Sequence, residues 1–437
     1  MDPLDLFRER FRMRSVPLSL MRLGNVAVRY GLDSRTMENT LADFVRWANA
    51  LGITPTLPVT ASVVGRHPKL FRDLLDRQSV ELAVHGYRHV DYTSLEMDRC
   101  AQHLTRAVEL FQKHRIPFQG IRFPFLRVNE SLLRLLPSFG FVWDSSEATV
   151  SDFSPPEGVG KRRRDSYEHI MDSYAHYSGQ NRSVLPRFKN GLMELPVSLP
   201  DDDILLERLG LSRRDVQSAL GRMQRQSEEG GGLVVYQLHP ERFPWFRRAF
   251  QNVLKSIESK PWVWRTTLSE LSAWWRERSQ CRMDLKPSNA KAYRLSFGGS
   301  ARMHVLMKNP QNGRLERFWL SWFSVPDAPF EIHGPKKPVI GVLPGMLNRV
   351  STILSAEGFP FEPAVRPDLY SVFLGNEVAS FSNDEGSLER YIKKAVDDTP
   401  FPLIRLWRWP KGKRCSLSVT GDVDAIDLHD YVDRFHG

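Results

Sequence analysis

The sequence predicts an α/β chain: a mainly parallel sheet or barrel built from βα units, followed by a second, smaller α+β domain. Three observations carry that expectation. From Asn25 to about residue 280, short apolar runs alternate with segments whose apolar residues recur at helical spacing, which is the pattern of βα units. After about residue 284 the pattern changes, and RLSFGG, RMHVLMKN and LERFWLSWF look like antiparallel strands joined by turns. The length of 437 residues, with 41% hydrophobic and 26% charged, fits two or three soluble domains and excludes a stapled mini-protein or a multi-span membrane protein.

The elements follow in order. NVAVRYGLDS reads as a strand ending in turn residues, and TMENTLADFVRWANALGIT as a helix with Leu41, Phe44, Val45, Ala48 and Leu51 on one face, stopped by Gly52. TPTLPVTA is the next strand, RHPKLFRDLLDR a helix, and VELAVHG a strand that ends at His85. EMDRCAQHLTRAVELFQKHRI with GIRFPF, and ESLLRLLPSFG with FVWDSS, continue the pattern. A polar stretch from Pro155 to Asn190 precedes GLMELPVS and GGLVVYQLHP, and the helix TTLSELSAWWRER closes the region. In the second domain, GMLNRVSTILSAEG is a helix. The divisions expected are an N-terminal basic amphipathic segment at 1–24, the barrel at 25–283, and an α+β domain at 284–437 ending in an acidic TGDVD strand.

Three scattered cysteines, Cys100, Cys281 and Cys415, argue against a disulfide framework or a cysteine zinc site. The charge of +10 raises an anionic partner, yet no nucleic-acid motif appears, and the basic residues are dispersed apart from the N-terminal segment and KRRR at 161–164. Nucleic acid is therefore not expected. An anionic membrane surface or lipid carrier is kept as a partner, and the oligomeric state is open. The N-terminal segment, with Leu4, Phe7, Phe11 and Met13, reads as a helix docked on its own domain or as a membrane-surface anchor. KRRR reads as a solvated loop or a phosphate-binding patch. With no continuous apolar core for export and no run of about 18 apolar residues, the expected location is cytoplasmic, with peripheral membrane attachment as the alternative.

HGYRH is the most informative segment. His85 and His89 stand at i and i+4 after a buried strand, and on a helical turn that spacing aims two imidazoles at one metal. In a parallel βα barrel the carboxyl ends of the strands converge on one face. Here those ends carry Asp33, His85, His89, Arg122, Asp144 and His239.

HGYRH, IRFPF, VWDSS and LVVYQLHPE, in this order, resemble the motifs of the polysaccharide deacetylase family, carbohydrate esterase family four, with its NodB-type domain. The resemblance covers about residues 25 to 280. It implies a distorted (β/α) barrel of polysaccharide-deacetylase type. It also implies a divalent metal, zinc first, held by Asp33, His85 and His89. Gly86 departs from the family's Ser or Thr in the metal motif. By the same resemblance His239 is the general acid, Arg122 orients the base, and Asp144 orients or tunes one of these groups. Tyr87, Phe123, Pro124, Phe125 and Leu238 are then substrate-binding, although core packing explains the aromatic residues equally well.

The first motif departs most. The family has two acidic residues at the end of its first strand, one a base and one a metal ligand; this chain has Tyr30-Gly31-Leu32-Asp33, so Gly31 stands where the base belongs. Near the other end, TGDVD repeats the form, with Asp422 in the place of Gly31 and Asp424 in the place of Asp33. Three readings stay open: a solvated acidic turn, a remnant of a second deacetylase-like unit, or a strand that reaches the first domain and supplies Asp422 as the catalytic base. The resemblance implies a hydrolase that removes acetyl groups from an amino-sugar polysaccharide or its lipid- or nucleotide-linked precursor, with an N-acetylated saccharide as substrate. The alternative, which Gly31 favours, is a catalytically impaired protein that binds a saccharide or a partner in polysaccharide biosynthesis.

Overall fold

A computed structural model describes residues 30, 34–174, 184–311, 315–326, 328–381 and 384–433. The N-terminal segment 1–24, Gly31 and Asp33 lie outside the described residues. Twenty-one strands are described. They run β1 Thr56–Val59, β2 Glu81–Val84, β3 Gly120–Ile121, β4 Trp143–Asp144, β5 Ala148–Val150, β6 Arg187–Lys189, β7 Leu192–Glu194, β8 Val197–Leu199, β9 Leu233–Leu238 and β10 Val263–Arg265. Beyond these come β11 Arg282–Asn289, β12 Ala292–Gly298, β13 Val305–Lys308, β14 Arg317–Trp319, β15 Trp322–Ser324, β16 Phe330–His333, β17 Lys337–Val342, β18 Phe361–Pro363, β19 Tyr370–Leu374, β20 Leu403–Leu406 and β21 Cys415–Gly421.

The larger unit is a curled, mostly parallel sheet in the order β5-β8-β9-β21-β1-β2-β3-β4-β7-β6, with β10 also on β21. Helix Arg35–Ala50 precedes β1, and helices Pro68–Arg77, Met97–Lys113, Arg213–Gly230 and Phe243–Glu258 run between the strands. They bury apolar stripes such as Met37, Leu41, Phe44, Val45 and Ala48 in the main core. This is the half-barrel expected of the fold class. Additional sheets form the further unit: β11–β12–β16 and β14–β15–β13–β20 are antiparallel, as expected, whereas β18–β17–β19 is parallel and is joined by helix Leu347–Glu357.

One strand departs from the expected division. β21 does not stay with the second unit; it lies in the centre of the large sheet, paired with β9 over Ser416–Gly421, with β10 over Cys415–Leu417, and with β1 at Thr420. The boundary at 283/284 therefore fails for the last segment of the chain. The reason is legible in CSLSVTG. Cys415, Leu417 and Val419 enter the main core on one face. On the other, the Ser418 and Thr420 hydroxyls donate to the carbonyls of Thr266 and Tyr236 at 2.9 Å each. Gly421 sits at a close approach, since a Cβ there would stand 3.0 Å from the Leu57, Phe44 and Pro240 side chains.

KRRR is not a loop. It opens helix Lys161–Tyr174, where Lys161 pairs with Asp165 at 2.7 Å, Arg163 donates to the Leu209 carbonyl at 2.8 Å, and Arg164 donates to the Pro156 carbonyl at 3.0 Å. Two of its three arginines are thus spent on backbone carbonyls, which weakens a phosphate-binding role. No helix of the described residues is long and apolar enough to cross a membrane.

Candidate metal centre and the groups around it

His85, at the end of β2, and His89 are brought together by a bend, not by the helical turn their spacing suggested. Gly86 takes φ +73°, and a Cβ there would stand 2.7 Å from the Tyr92 hydroxyl, which accepts a hydrogen bond from the Tyr87 amide at 2.7 Å. That tight turn explains why this chain has glycine in the second place of the motif. The two imidazole rings end 5.2 Å apart, centroid to centroid.

The third member of the cluster comes from the far end of the sequence. Val423 bridges to Val59, and its amide donates to the Pro58 carbonyl at 2.8 Å, so the chain stays extended past β21. Asp422 and Asp424 therefore share a face. The Asp424 carboxylate reaches both histidines: Oδ1 is 3.4 Å from His85 Nε2, and Oδ2 is 3.4 Å from His89 Nε2. His85 and Asp424 are buried, as is His89.

This donor set fits a divalent metal. Each of the three residues offers a ligand atom, and these atoms all lie within 4.8 Å of one another, close enough to share one ion. His85 Nδ1 lies 2.8 Å from the Arg122 carbonyl oxygen. Donating there, it carries its proton on Nδ1 and leaves the Nε2 lone pair on the cluster side. Two imidazoles and one carboxylate also leave a coordination position for water.

Asp422, two residues before, is buried and held at both oxygens: Arg122 Nη1 donates to Oδ1 at 2.7 Å and Gln237 Nε2 to Oδ2 at 2.6 Å. Arg122 is itself fully buried and donates to the Thr420 hydroxyl at 2.7 Å, the Ser145 hydroxyl at 2.9 Å and the Ser145 carbonyl at 3.0 Å. The end of β3 thus supports both halves of the cluster, His85 through a carbonyl and Asp422 through a guanidinium.

His239 follows β9, and its Nδ1 lies 2.7 Å from Asp202 Oδ1 while its amide donates to Asp202 Oδ2 at 3.1 Å. Burial alone would depress the imidazole, but the Asp202 carboxylate outweighs it and raises His239 well above the usual histidine value. Neighbouring Asp201 is pushed up to about 7 by burial first and by the Asp203 charge second. Asp203 in turn pairs with Arg208 and Arg242, each at 2.9 Å.

Asp144 corrects an expectation. It takes the Ser146 hydroxyl at 2.7 Å, and that hydroxyl accepts the Phe123 amide at 2.8 Å. It thus braces the turn after β3 from behind, and the carboxylate beside His239 is Asp202. Burial raises Asp144, and burial and Asp144 together push its register partner Glu194 well above the carboxylate range. Phe123, Pro124 and Leu238 are buried in or against the core, so packing explains them. Tyr87 is half-buried, edge-on to His103 at 5.4 Å. Phe125 is different: it is 47% exposed, takes φ +63°, and its ring stands 4.5 Å from the His89 ring. A strained, exposed aromatic beside the cluster is the candidate groove wall.

Residues 33–142 match the family model described as polysaccharide deacetylase. The match begins at Asp33, and β21 stands beside β1 in the sheet. No curated protein matches the chain. Among solved structures, it is similar to a Mycobacterium smegmatis protein assigned as a polysaccharide deacetylase, with 20% identity, TM-score 0.43, and coverage of 60% of this chain and 84% of that one. It is also similar to PuuE allantoinase, at 18% identity and TM-score 0.40, covering 54% of this chain and 72% of that one. A family 4 carbohydrate esterase from Streptomyces lividans follows at 15% identity and TM-score 0.24, covering 31% of this chain and 65% of that one. Scores this low bear on neither substrate nor mechanism.

Proposed function

We propose that the protein is a divalent-metal-dependent N-deacetylase acting on an amino-sugar saccharide or its carrier-linked precursor, with His85, His89 and Asp424 as ligands and Asp422 as the base. One observation carries this reading: Asp424 meets both histidines while Asp422, on the same face of the same segment, is held by Arg122. This reading gives the third ligand position to Asp424 in place of Asp33, which lies outside the described residues.

A zinc ion held there supplies Lewis-acid polarisation of the acetyl carbonyl and a water of lowered pKa. Asp422 takes the proton of the attacking water. Its two oxygens each accept one hydrogen bond, and a carboxylate oxygen has capacity for a second, so the base remains able to accept. His239, kept protonated by Asp202, gives its proton to the amine nitrogen as the C–N bond breaks. The products are acetate and the free amino sugar. Phe125 flanks the cluster and offers a face for a pyranose ring.

The impaired-protein alternative rested on Gly31, and a base supplied as Asp422 removes its motive. The test is acetate release from a panel of N-acetylated oligosaccharides by the zinc-loaded protein, compared with the same protein after chelation. Release that depends on zinc is expected. A zinc-loaded protein that binds oligosaccharide and releases no acetate across the panel would favour the binding role.

A further inference from the structure

Asp424 stands one residue beyond Val423, where the extended segment after β21 bridges to Val59. From there the chain passes through Ala425 and Ile426, both fully buried, into the short helix Leu428–Asp433. These residues are tied through Asp430, whose side chain is buried. Its Oδ2 accepts the Ile426 amide at 2.9 Å, and its own amide donates to Asp427 Oδ1 at 2.8 Å, so the turn closes on itself. The same carboxylate is gripped from outside: Arg66 Nε donates to Oδ1, and His67 Nε2 lies 3.0 Å from Oδ2. Arg66 also donates to Asp433 Oδ2 at 2.7 Å. Burial works against a charged imidazole, but Asp430 outweighs it and raises His67 above the usual histidine value. His67, Asp427 and Asp430 are close enough to share an ion, yet the Arg66 guanidinium on the same carboxylate opposes a second cation there.

Arg66 closes the helix Ala61–Arg66, and His67 caps it. The other end of that helix holds the bend between the histidines. The Ala61 amide donates to the Gly86 carbonyl at 2.9 Å, and the Ser62 amide donates to the Tyr87 carbonyl at 3.0 Å. Just ahead of it, the Thr60 amide donates to the Val423 carbonyl at 3.2 Å, between Asp422 and Asp424. One short helix thus braces both halves of the metal centre: the turn from His85 to His89 at its start, and the segment beyond Asp424 at its end. The two halves are far apart in the sequence, so their separation in space depends on what bridges them. Hydrogen bonds between charged groups are the stronger kind, and outer partners of this sort orient the groups that bind a metal.

We propose that Asp430 is a positioning residue for the metal centre: with Arg66 and His67 it latches the chain beyond Asp424 to the helix that braces the histidine bend, and so sets the reach of Asp424 to His85 and His89. This role rests on Asp424 as a metal ligand; the latch itself does not. It acts on the ligand set and not on the acetyl group, so its effect is read on the metal, whatever the substrate.

The test is the zinc affinity of the full-length protein, measured by competition with a chromophoric chelator, together with the visible spectrum of the cobalt(II)-loaded protein, which reports ligand geometry. The variants are Asp430→Ala, its conservative counterpart Asp430→Asn, and Arg66→Gln at the partly exposed side of the latch, with Asp424→Asn as the reference. Expected is zinc binding weakened about 10 to 100-fold in Asp430→Ala, partly restored in Asp430→Asn and weakened less in Arg66→Gln, with an altered cobalt spectrum in Asp430→Ala. Wild-type zinc affinity and cobalt spectrum in both Asp430→Ala and Arg66→Gln, with zinc lost in Asp424→Asn, overturn the latch and leave the ligand set standing. That holds even where Asp430→Ala unfolds more easily, since the residue would then serve the fold alone. If Asp430→Ala does not fold, Arg66→Gln decides by the same criteria. Wild-type zinc affinity in Asp424→Asn would instead remove Asp424 as a ligand, and the positioning role with it.

Discussion

Arg122 and Asp422 lie 300 residues apart in the sequence and 2.7 Å apart in the fold. The guanidinium is fully buried and the carboxylate nearly so, hence neither has bulk water to fall back on. Their pairing ties the last strand of the large sheet to the turn that also orients His85.

Removing one partner of such a pair leaves an uncompensated buried charge, at a cost of about 3–5 kcal/mol. Arg122→Ala should therefore lower the unfolding free energy by that order in urea titrations. Arg122→Lys should recover only part of it, because a lysine cannot reach Ser145 and Asp422 with the same planar fork. An Arg122→Ala protein as stable as wild type would show that the pair does not hold β21 in place.

Asp422→Asn keeps the shape of the site and removes the proton acceptor. Loss of a general base typically lowers kcat by about 10² to 10⁴-fold. Steady-state acetate release should show that drop with metal content unchanged. Near wild-type kcat would exclude Asp422 as the base.

The raised His239 sets the sign of a pH effect. An imidazolium acid is fully available below its pKa, so the alkaline fall in activity should come as pH climbs through that raised value. Asp202→Asn removes the charge responsible, and the alkaline limb of kcat should move to lower pH, toward the ordinary histidine value of about 6.5. Linkage has the same direction: the pair's contribution to stability is complete below the unfolded histidine pKa and is lost as pH rises through the folded one. An unmoved limb in Asp202→Asn would assign the acid to another group.

Gly86→Ala tests the bend that joins the histidines. Positive φ and a Cβ 2.7 Å from the Tyr92 hydroxyl should cost roughly 1–3 kcal/mol and weaken zinc binding, read by thermal unfolding with and without zinc. A variant equal to wild type in both would mean that the turn relaxes without moving His89.

The alternation of βα units, the antiparallel strands after residue 284 and the pair His85/His89 were legible because each is written in local pattern. The placement of β21 was not. RYGLD and TGDVD look alike locally, and what favours the second is a sheet position between β9 and β1 that only non-local pairing creates. Asp202 was missed for a related reason: it sits in the run Asp201-Asp202-Asp203, where nothing in the sequence tells the partner of His239 from the partner of Arg242. VWDSS drew attention to Asp144, while Ser145 and Ser146 beside it make the contacts that reach Arg122 and Phe123.

In the assignment proposed, the C-terminal strand completes a metal site begun by His85 and His89. Metal stoichiometry after zinc loading and desalting tests it most directly, in wild type, Asp424→Asn and Asp33→Asn. One zinc per chain in wild type and Asp33→Asn, with loss in Asp424→Asn, is the result expected. Zinc retained in Asp424→Asn and lost in Asp33→Asn would return the third ligand position to Asp33.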